Sequence, residues 1–469
     1  MRRLGFHILV LVAALLVSGA TASAAAALGL VTGFNSDPVL TNDGAASRAI
    51  WIPRAVAQGA GLIRVNVNWS AIAPQTRPPG LSAANPASPG YDWTEVDGTI
   101  RDLAAHGLQV MLSISGAPTW AEGPGQPANV EPGTWKPDPS QFAQFGEAAA
   151  RRYDGHFPDP LHPGAFLPRV RYWQAWNEPN LDTYLTPQWN STAHGFTPAS
   201  PAIYSRMLNA FYAAVKGVAK SDVVVTAGMA PYGNPPGVNT PGGYRMQPVT
   251  FDRALFSKPV HLDVLAQHTY PIEGPLWHAV NADDVAVADL YKVQDVLHAA
   301  ERAGDALPRG PKQLWVTELG WDSDPPNPEG VPAAEQARWY EQALYVLWHQ
   351  GVDTVLFLQI VDSPPIPNYF VVYEEGIYYL GGSPKPAATA FRFPFVTNRL
   401  TRAQVQVWGR APAGGVLALQ QRGGSRWAVI GRLAVKRHQV FLKTIALRGR
   451  ATLRAVIGGQ ISLAWTQSP

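Results

Sequence analysis

Between about residues 28 and 390, short apolar runs alternate eight times with amphipathic helical segments. This is the pattern of parallel strands joined by helices. The runs are "LGLVTGFNSD" at 28–37, "LIRVNVNW" at 62–69, "LQVMLSISGAPTW" at 108–120 and "VRYWQAWNEPN" at 170–180. They continue with "VVVTAGMAPY" at 223–232, "LDVLAQHTYP" at 262–271, "QLWVTELGW" at 313–321 and "TVLFLQIVD" at 354–362. Helices are expected at 46–58, over "DWTEVDGTIRDLAAHG", over "DPSQFAQFGEAAARRY" with Asp138 or Ser140 as cap, at 200–220, near 252–256, at 283–304, at 332–350 and over "PKPAATAF". Eight such units over this length predict an α/β fold, a (β/α)8 TIM barrel. A doubly wound open sheet shares the alternation, but no Gly-rich phosphate-binding turn accompanies these strands.

After Phe395 the helical period stops. Short alternating runs such as "AQVQVW", "VLALQQR", "RWAVIGRLAV" and "ATLRAVI" are separated by Gly, Pro or Arg turns. They predict a small C-terminal antiparallel β-sandwich over residues 396–469, behind a barrel domain at 25–395. Charge changes at the same place. Residues 396–469 carry twelve Lys and Arg and no Asp or Glu, whereas residues 25–395 carry 23 basic and 34 acidic residues. A basic domain of this kind suits contact with anionic glycan or the cell envelope, and it also reads as a solvated basic face.

At the N-terminus Arg2 and Arg3 precede "FHILVLVAALLV" and a run of small residues ending in Ala22-Ser23-Ala24. Residues 1–24 are therefore expected to be a secretory signal peptide, and the protein to be secreted. The apolar run is shorter than the ~20 residues of a spanning helix, so no stable membrane insertion is expected. Cysteine is absent, which excludes disulfides, Cys-ligated metals and a Cys nucleophile. No His-Glu-x-x-His and no Gly-x-Ser-x-Gly occurs, and nothing in the pattern calls for a metal, a cofactor or nucleic acid.

Two strand ends carry a glutamate. In "VRYWQAWNEPN", alternation puts Tyr172, Gln174, Trp176 and Glu178 on one face, and Pro179 ends the strand. In "QLWVTELGW", Leu314, Val316 and Glu318 share a face before Gly320. Strands four and seven lie across a barrel from each other, and catalytic groups in this fold sit at the C-terminal strand ends. Two opposed carboxylates in one cleft are what glycoside hydrolysis requires, one donating a proton while the other attacks or activates water. Either glutamate alone would read as an ion-pair residue at the rim; the matched pair argues for catalysis.

"WNEPN" on strand four together with "TELGW" on strand seven resembles glycoside hydrolase clan A, the retaining (β/α)8 glycosidases that include families 5, 10 and 39. "YDWTEVDGTI" and "PKPAATAF" are similar to stretches flanking the barrel in family 39. The resemblance covers about residues 28–390 and implies Glu178 as acid/base and Glu318 as nucleophile. It further implies Asn177 as a partner of the sugar 2-hydroxyl, Arg64 as the cation that keeps the nucleophile ionised, and His268 and Tyr270 of "QHTYP" as pocket residues, with Tyr270 orienting Glu318. Trp69, Trp120 and Trp321, at strand ends, are candidates for stacking on sugar faces. One departure stands out: where many clan members carry a strand-eight tryptophan, this chain has Leu358 and Gln359. The implied activity is cleavage of β-glycosidic bonds in an oligo- or polysaccharide. A silent barrel that binds glycan, or a transglycosylase using the same pair, is the alternative.

Overall fold

The computed structural model describes residues 29–35, 38–41, 43–240, 242–369 and 372–469, so the signal-peptide expectation at 1–24 lies outside the described residues. Eight parallel strands close a barrel in chain order: β1 (Val31–Asn35), β2 (Leu62–Asn68), β3 (Gln109–Ser115), β4 (Tyr172–Ala175), β5 (Val223–Thr226), β6 (Val264–Thr269), β7 (Gln313–Leu319) and β8 (Val352–Phe357). The ring closes through pairing of β1 with both β2 and β8. Outside it run α1 (Gly44–Ala57), α2 (Thr94–Ala105), α3 (Pro139–Arg152), α4 (Ser200–Val218), α5 (Pro248–Leu255), α6 (Tyr291–Ala303), α7 (Ala333–His349) and α8 (Pro386–Arg392). Asp138 caps α3, accepting from the backbone N–H of Ser140 and Gln141. Two helices start elsewhere than expected: α5 begins at Pro248, ahead of residue 252, and α6 begins at Tyr291, because 283–290 hold a turn and a short 3-10 segment.

The barrel interior has two layers. Leu62, Met111, Val225, Val264, Ala266, Trp315 and Leu356 fill the lower part with apolar volume. Above them, toward the C-terminal strand ends, inward positions turn polar: Asn35, Arg64, Ser113, Gln174, His268 and Thr317 are all buried. An apolar floor under a polar layer removes water from the groups above it, which strengthens every charge interaction there.

The C-terminal region is the expected antiparallel sandwich. One sheet holds β9 (Phe395–Thr401), β10 (Gln404–Arg410) and β13 (Val440–Ala446). The other holds β11 (Gly415–Gly423), β12 (Arg426–Val435), β14 (Ala451–Ile457), β15 (Gln460–Ile461) and β16 (Trp465–Gln467). Phe395, Val407, Leu419, Phe441 and Leu453 interdigitate between them. The sandwich is docked on the barrel: Trp408 packs 5.7 Å from Tyr345 and 5.9 Å from Trp348 of α7. Beside it, buried Glu341 of α7 accepts from the Phe395 N–H at 3.2 Å. Among the described residues no helix is long and apolar enough to cross a membrane.

Candidate active site

Strand β4 stops at Ala175, short of the expected Glu178. The next residues leave the β region, with φ of +76° at Trp176 and +35° at Glu178. A bulky residue with positive φ costs roughly 1–3 kcal/mol and persists only where its surroundings hold it. The turn corrects the alternation argument. Trp176 does not share the inward face of Gln174; it swings out to meet Phe142 of α3 edge-on, and its Nε1 donates to the Tyr184 carbonyl at 2.9 Å. Glu178 enters the cavity through this turn rather than by strand alternation.

Alternation fails on β7 as well. Leu314 and Val316 face the outer core, and Trp315 the barrel interior. Simple alternation would send Glu318 outward with Leu314 and Val316. The register against β6 shifts instead, pairing Val316 with Gln267 and then Glu318 with His268, so that Thr317 is the extra residue. That bulge turns Glu318 inward beside His268.

Glu318 lies in a dense set of donors. The Nη1 of Arg64 stands 2.5 Å from its Oε1, the Tyr270 hydroxyl donates to Oε2 at 2.5 Å, and Asn35 Nδ2 approaches Oε1 at 3.4 Å. Burial pushes the Glu318 carboxyl up, but the charges of His268 and Arg64 and the hydrogen bonds from Tyr270 and Arg64 outweigh it and hold it below the usual carboxylate range. Arg64 is fully buried and saturated: Gln174 Oε1 at 2.5 Å, Asn35 Oδ1 at 3.0 Å, Ser113 Oγ at 3.1 Å and Asn177 Oδ1 at 2.7 Å complete its shell. Asn177 is thereby oriented beside Glu178.

His268 Nδ1 lies 2.8 Å from Glu178 Oε1 and 3.4 Å from Glu318 Oε2. The ring is fully buried and sits behind the two carboxylates rather than on the cavity wall. One oxygen of each glutamate and a ring nitrogen of His268 all lie within 4.8 Å of one another. These three could bring ligand atoms to a cation, but Glu318 already accepts from Arg64 and Tyr270, which places a fixed guanidinium charge against any ion held there.

Glu178 and Glu318 open onto a cavity of about 620 Å3 that is also lined by Asn177, Tyr270, Tyr232, Tyr373, Leu358 and Glu375. A second cavity of about 810 Å3 shares Asn66, Ser115 and Tyr184 with it and extends past the ends of β2 and β3. The loops after β3, β4 and β5 contribute Thr134, Thr183 and Arg245 to these walls.

The three tryptophans are not brought to the site. Trp69 is fully buried and stacked on Phe145 at 5.4 Å. Trp321 is buried against Trp339 and Tyr340, with its Nε1 on the Glu273 carbonyl. Trp120 packs edge-on to Trp69 under the Arg77 guanidinium and lines neither cavity. These side chains fill space between strand ends and helices, where any large aromatic is stabilised by burial. Tyrosines 184, 232, 270 and 373 take the cavity wall instead.

Sequence reasoning passes over Asn35, Gln174 and Glu375. The first two carry a signal, since both stand at inward positions beside Arg64. Glu375 carries none, because it lies in the loop after β8. Its carboxyl is buried, and burial, then the negative charges of Asp322 and Glu318, raise it well above the usual range. It stands at the wall of the cavity shared by Glu178 and Glu318.

No family model and no curated protein matches the sequence. Solved structures do match. A family 39 glycoside hydrolase from Bacteroides cellulosilyticus superposes with a TM-score of 0.55 at 15% identity, over 90% of this chain and 81% of its own. A GH39 β-xylosidase from Caulobacter crescentus gives 0.51 at 14% over 90% and 96%, and a GH39 enzyme from Xanthomonas axonopodis pv. citri gives 0.50 at 14% over 90% and 92%. The barrel-plus-β-domain architecture of this chain is thus the fold found in family 39 glycoside hydrolases.

Proposed function

We propose that the protein is an exported retaining β-glycosidase in which Glu318 is the nucleophile and Glu178 the acid/base. The observation that carries this reading is the opposition of the two glutamates in one cavity, one oxygen of each within 4.8 Å of the other, with Glu318 bonded to a buried guanidinium. Retaining enzymes hold the pair ~5–5.5 Å apart, inverting ones ~6.5–9.5 Å. In the first step Glu318 attacks the anomeric carbon, the glycosidic C–O bond breaks, and Glu178 gives its proton to the departing oxygen. In the second, water attacks the glycosyl–Glu318 ester, Glu178 takes the water's proton, and the carboxylate is released.

The neighbours fit supporting roles. Arg64 and Tyr270 keep Glu318 ionised and aimed, and Asn177, held by Arg64, is placed for the sugar 2-hydroxyl. His268 positions Glu178 from behind. Two cavities of about 620 and 810 Å3 that share Asn66, Ser115 and Tyr184 form an extended cleft, which favours an oligo- or polysaccharide over a single sugar. In this reading residues 1–24 direct export, residues 25–395 cleave, and the basic residues 396–469 contact anionic glycan or the cell envelope.

The test is a panel of aryl glycosides and polysaccharides assayed with the native chain, Glu318→Gln and Glu178→Ala. The reading expects hydrolysis by the native chain and its loss in both variants. Polysaccharide binding without any release of product would mark a glycan-binding barrel and refute the enzyme.

A further inference from the structure

At the end of the barrel opposite the glutamates, a cavity of about 310 Å3 lies between the end of α1, Arg392 of α8 and the sandwich residues Arg437 and His438. Its chemistry is one-sided. Arg410 of β10 is 2% exposed; its Nε donates to the Leu30 carbonyl at 2.9 Å and its Nη2 to the Gly59 carbonyl at 3.3 Å, while Nη1 has no partner among the described residues. Nε2 of His438 and Nε of Arg392 are likewise buried and unpartnered there. Two of these atoms meet beside Gly59, where an added β-carbon would stand 3.2 Å from His438 Nε2 and 3.8 Å from Arg410 Nη1. His438 is held there with φ of +65°, a left-handed conformation unusual for a residue with a side chain.

Among the described residues no carboxylate answers these groups. None lines the cavity, none occurs in residues 396–469, and none occurs in residues 1–30. Burial, and then the neighbouring positive charges, push Arg410 down to about 10 and His438 down to about 4. A buried cation ordinarily has a counter-ion, and one bonded only to backbone carbonyls leaves its charge uncompensated.

We propose that this cavity binds an oxyanion, a phosphate or sulfate group received by its lining residues Arg392, Arg437 and His438 and drawn by the uncompensated charge of Arg410, buried beside Gly59. The ligand chemistry is the same whether the group is a free ion or an ester carried on a glycan. Several fixed N–H donors around one oxyanion are the strong, charge-assisted case of hydrogen bonding. Bound there, the anion would tie α1 and α8 of the barrel to β10 and the β12–β13 turn, making the docking of the two domains anion-dependent. The proposal stands apart from the glycosidase reading, since the cavity is remote from both glutamates.

The experiment uses the full chain, thermal unfolding and titration calorimetry, with sodium phosphate, sodium sulfate and glucose 6-phosphate as probes and sodium chloride at equal ionic strength as control. Phosphate and sulfate are expected to raise Tm saturably, chloride not. Arg437→Ala and His438→Ala should weaken binding by ~10-fold or more. Arg437 is exposed, so its variant should fold. In anion-free buffer that variant should be at least as stable as the native chain, because it removes repulsion from Arg410. Tighter binding of glucose 6-phosphate than of phosphate supports the site with an ester as its ligand; equal or weaker binding supports it with the free ion. Equal shifts with phosphate and chloride, or undiminished binding in both variants, would overturn the proposal.

Discussion

Replacing Arg64 by Met tests the electrostatic core of the site. The Arg64–Glu318 pair is almost out of solvent, with side-chain exposures of 1% and 11%. Removing one member of such a pair leaves the other charged and unpaired in a dry interior, at a cost of ~3–5 kcal/mol. Four other acceptors of Arg64, on Asn35, Ser113, Gln174 and Asn177, lose their donor at once, so the upper end of that range applies. Against a typical total stability of ~5–15 kcal/mol, the loss is large enough to measure by urea unfolding. Its sign depends on pH in a definite way. Glu318 is held below its unfolded-state value, so its stabilisation is complete above the ordinary carboxylate range and is lost as pH falls through the depressed value. In the variant, burial acts on Glu318 with Arg64's charge gone, and the carboxyl protonates at higher pH. The stability gap between native and variant chains should therefore be widest near about pH 7 and shrink toward about pH 4. A gap that stays constant across that range, or a variant as stable as the native chain near neutrality, would refute the reasoning.

Three further outcomes follow from the same geometry. Tyr270→Phe removes a charge-assisted hydrogen bond worth ~1.5–3 kcal/mol, so kcat on an active aryl glycoside should fall by ~10- to 150-fold with KM little changed, as initial-rate kinetics would show. In Gly228→Ala the new methyl would sit 2.1 Å from His268 Nε2 and 2.7 Å from Thr317 Oγ1; the ring must move, and with it Glu178. That variant should lose more activity on glycosides with poor leaving groups, which need the proton, than on those with good ones. Truncation after Phe395 should leave Trp348 and Tyr345 of α7 without Trp408, and the shortened chain should show a lower Tm or aggregate by light scattering.

The barrel was legible because each strand is a short apolar run followed by a helical period, and the two periods do not imitate each other. Strand ends were less so: β4 reads as continuing to Glu178 but stops at Ala175, since the residues beyond it are held by the turn and not by a ladder. Both glutamates named from the strand-end motifs face one cavity, yet alternation alone did not place them. A positive φ at Trp176 and a bulge at Thr317 aim the side chains, and neither has a mark in the local composition. The strand-end tryptophans were misread for a related reason. A large aromatic there can face the cleft or the helix layer, and only tertiary packing decides. Arg64 and Tyr270 lie where the strand-end motifs imply. Asn35 and Gln174, equally part of that network, needed the register of neighbouring strands to be seen, and Glu375 needed the path of the loop after β8.

The central claim is a covalent intermediate on Glu318. The most direct measurement is the mass of the peptide containing Glu318 after rapid quenching of the Glu178→Ala variant with an aryl glycoside that has a good leaving group. The leaving group departs without proton donation, and the second step lacks its base, so the peptide should carry the mass of one glycosyl unit. A glycosyl mass on any other carboxylate, or continued turnover with the Glu318 peptide unmodified, would contradict the account.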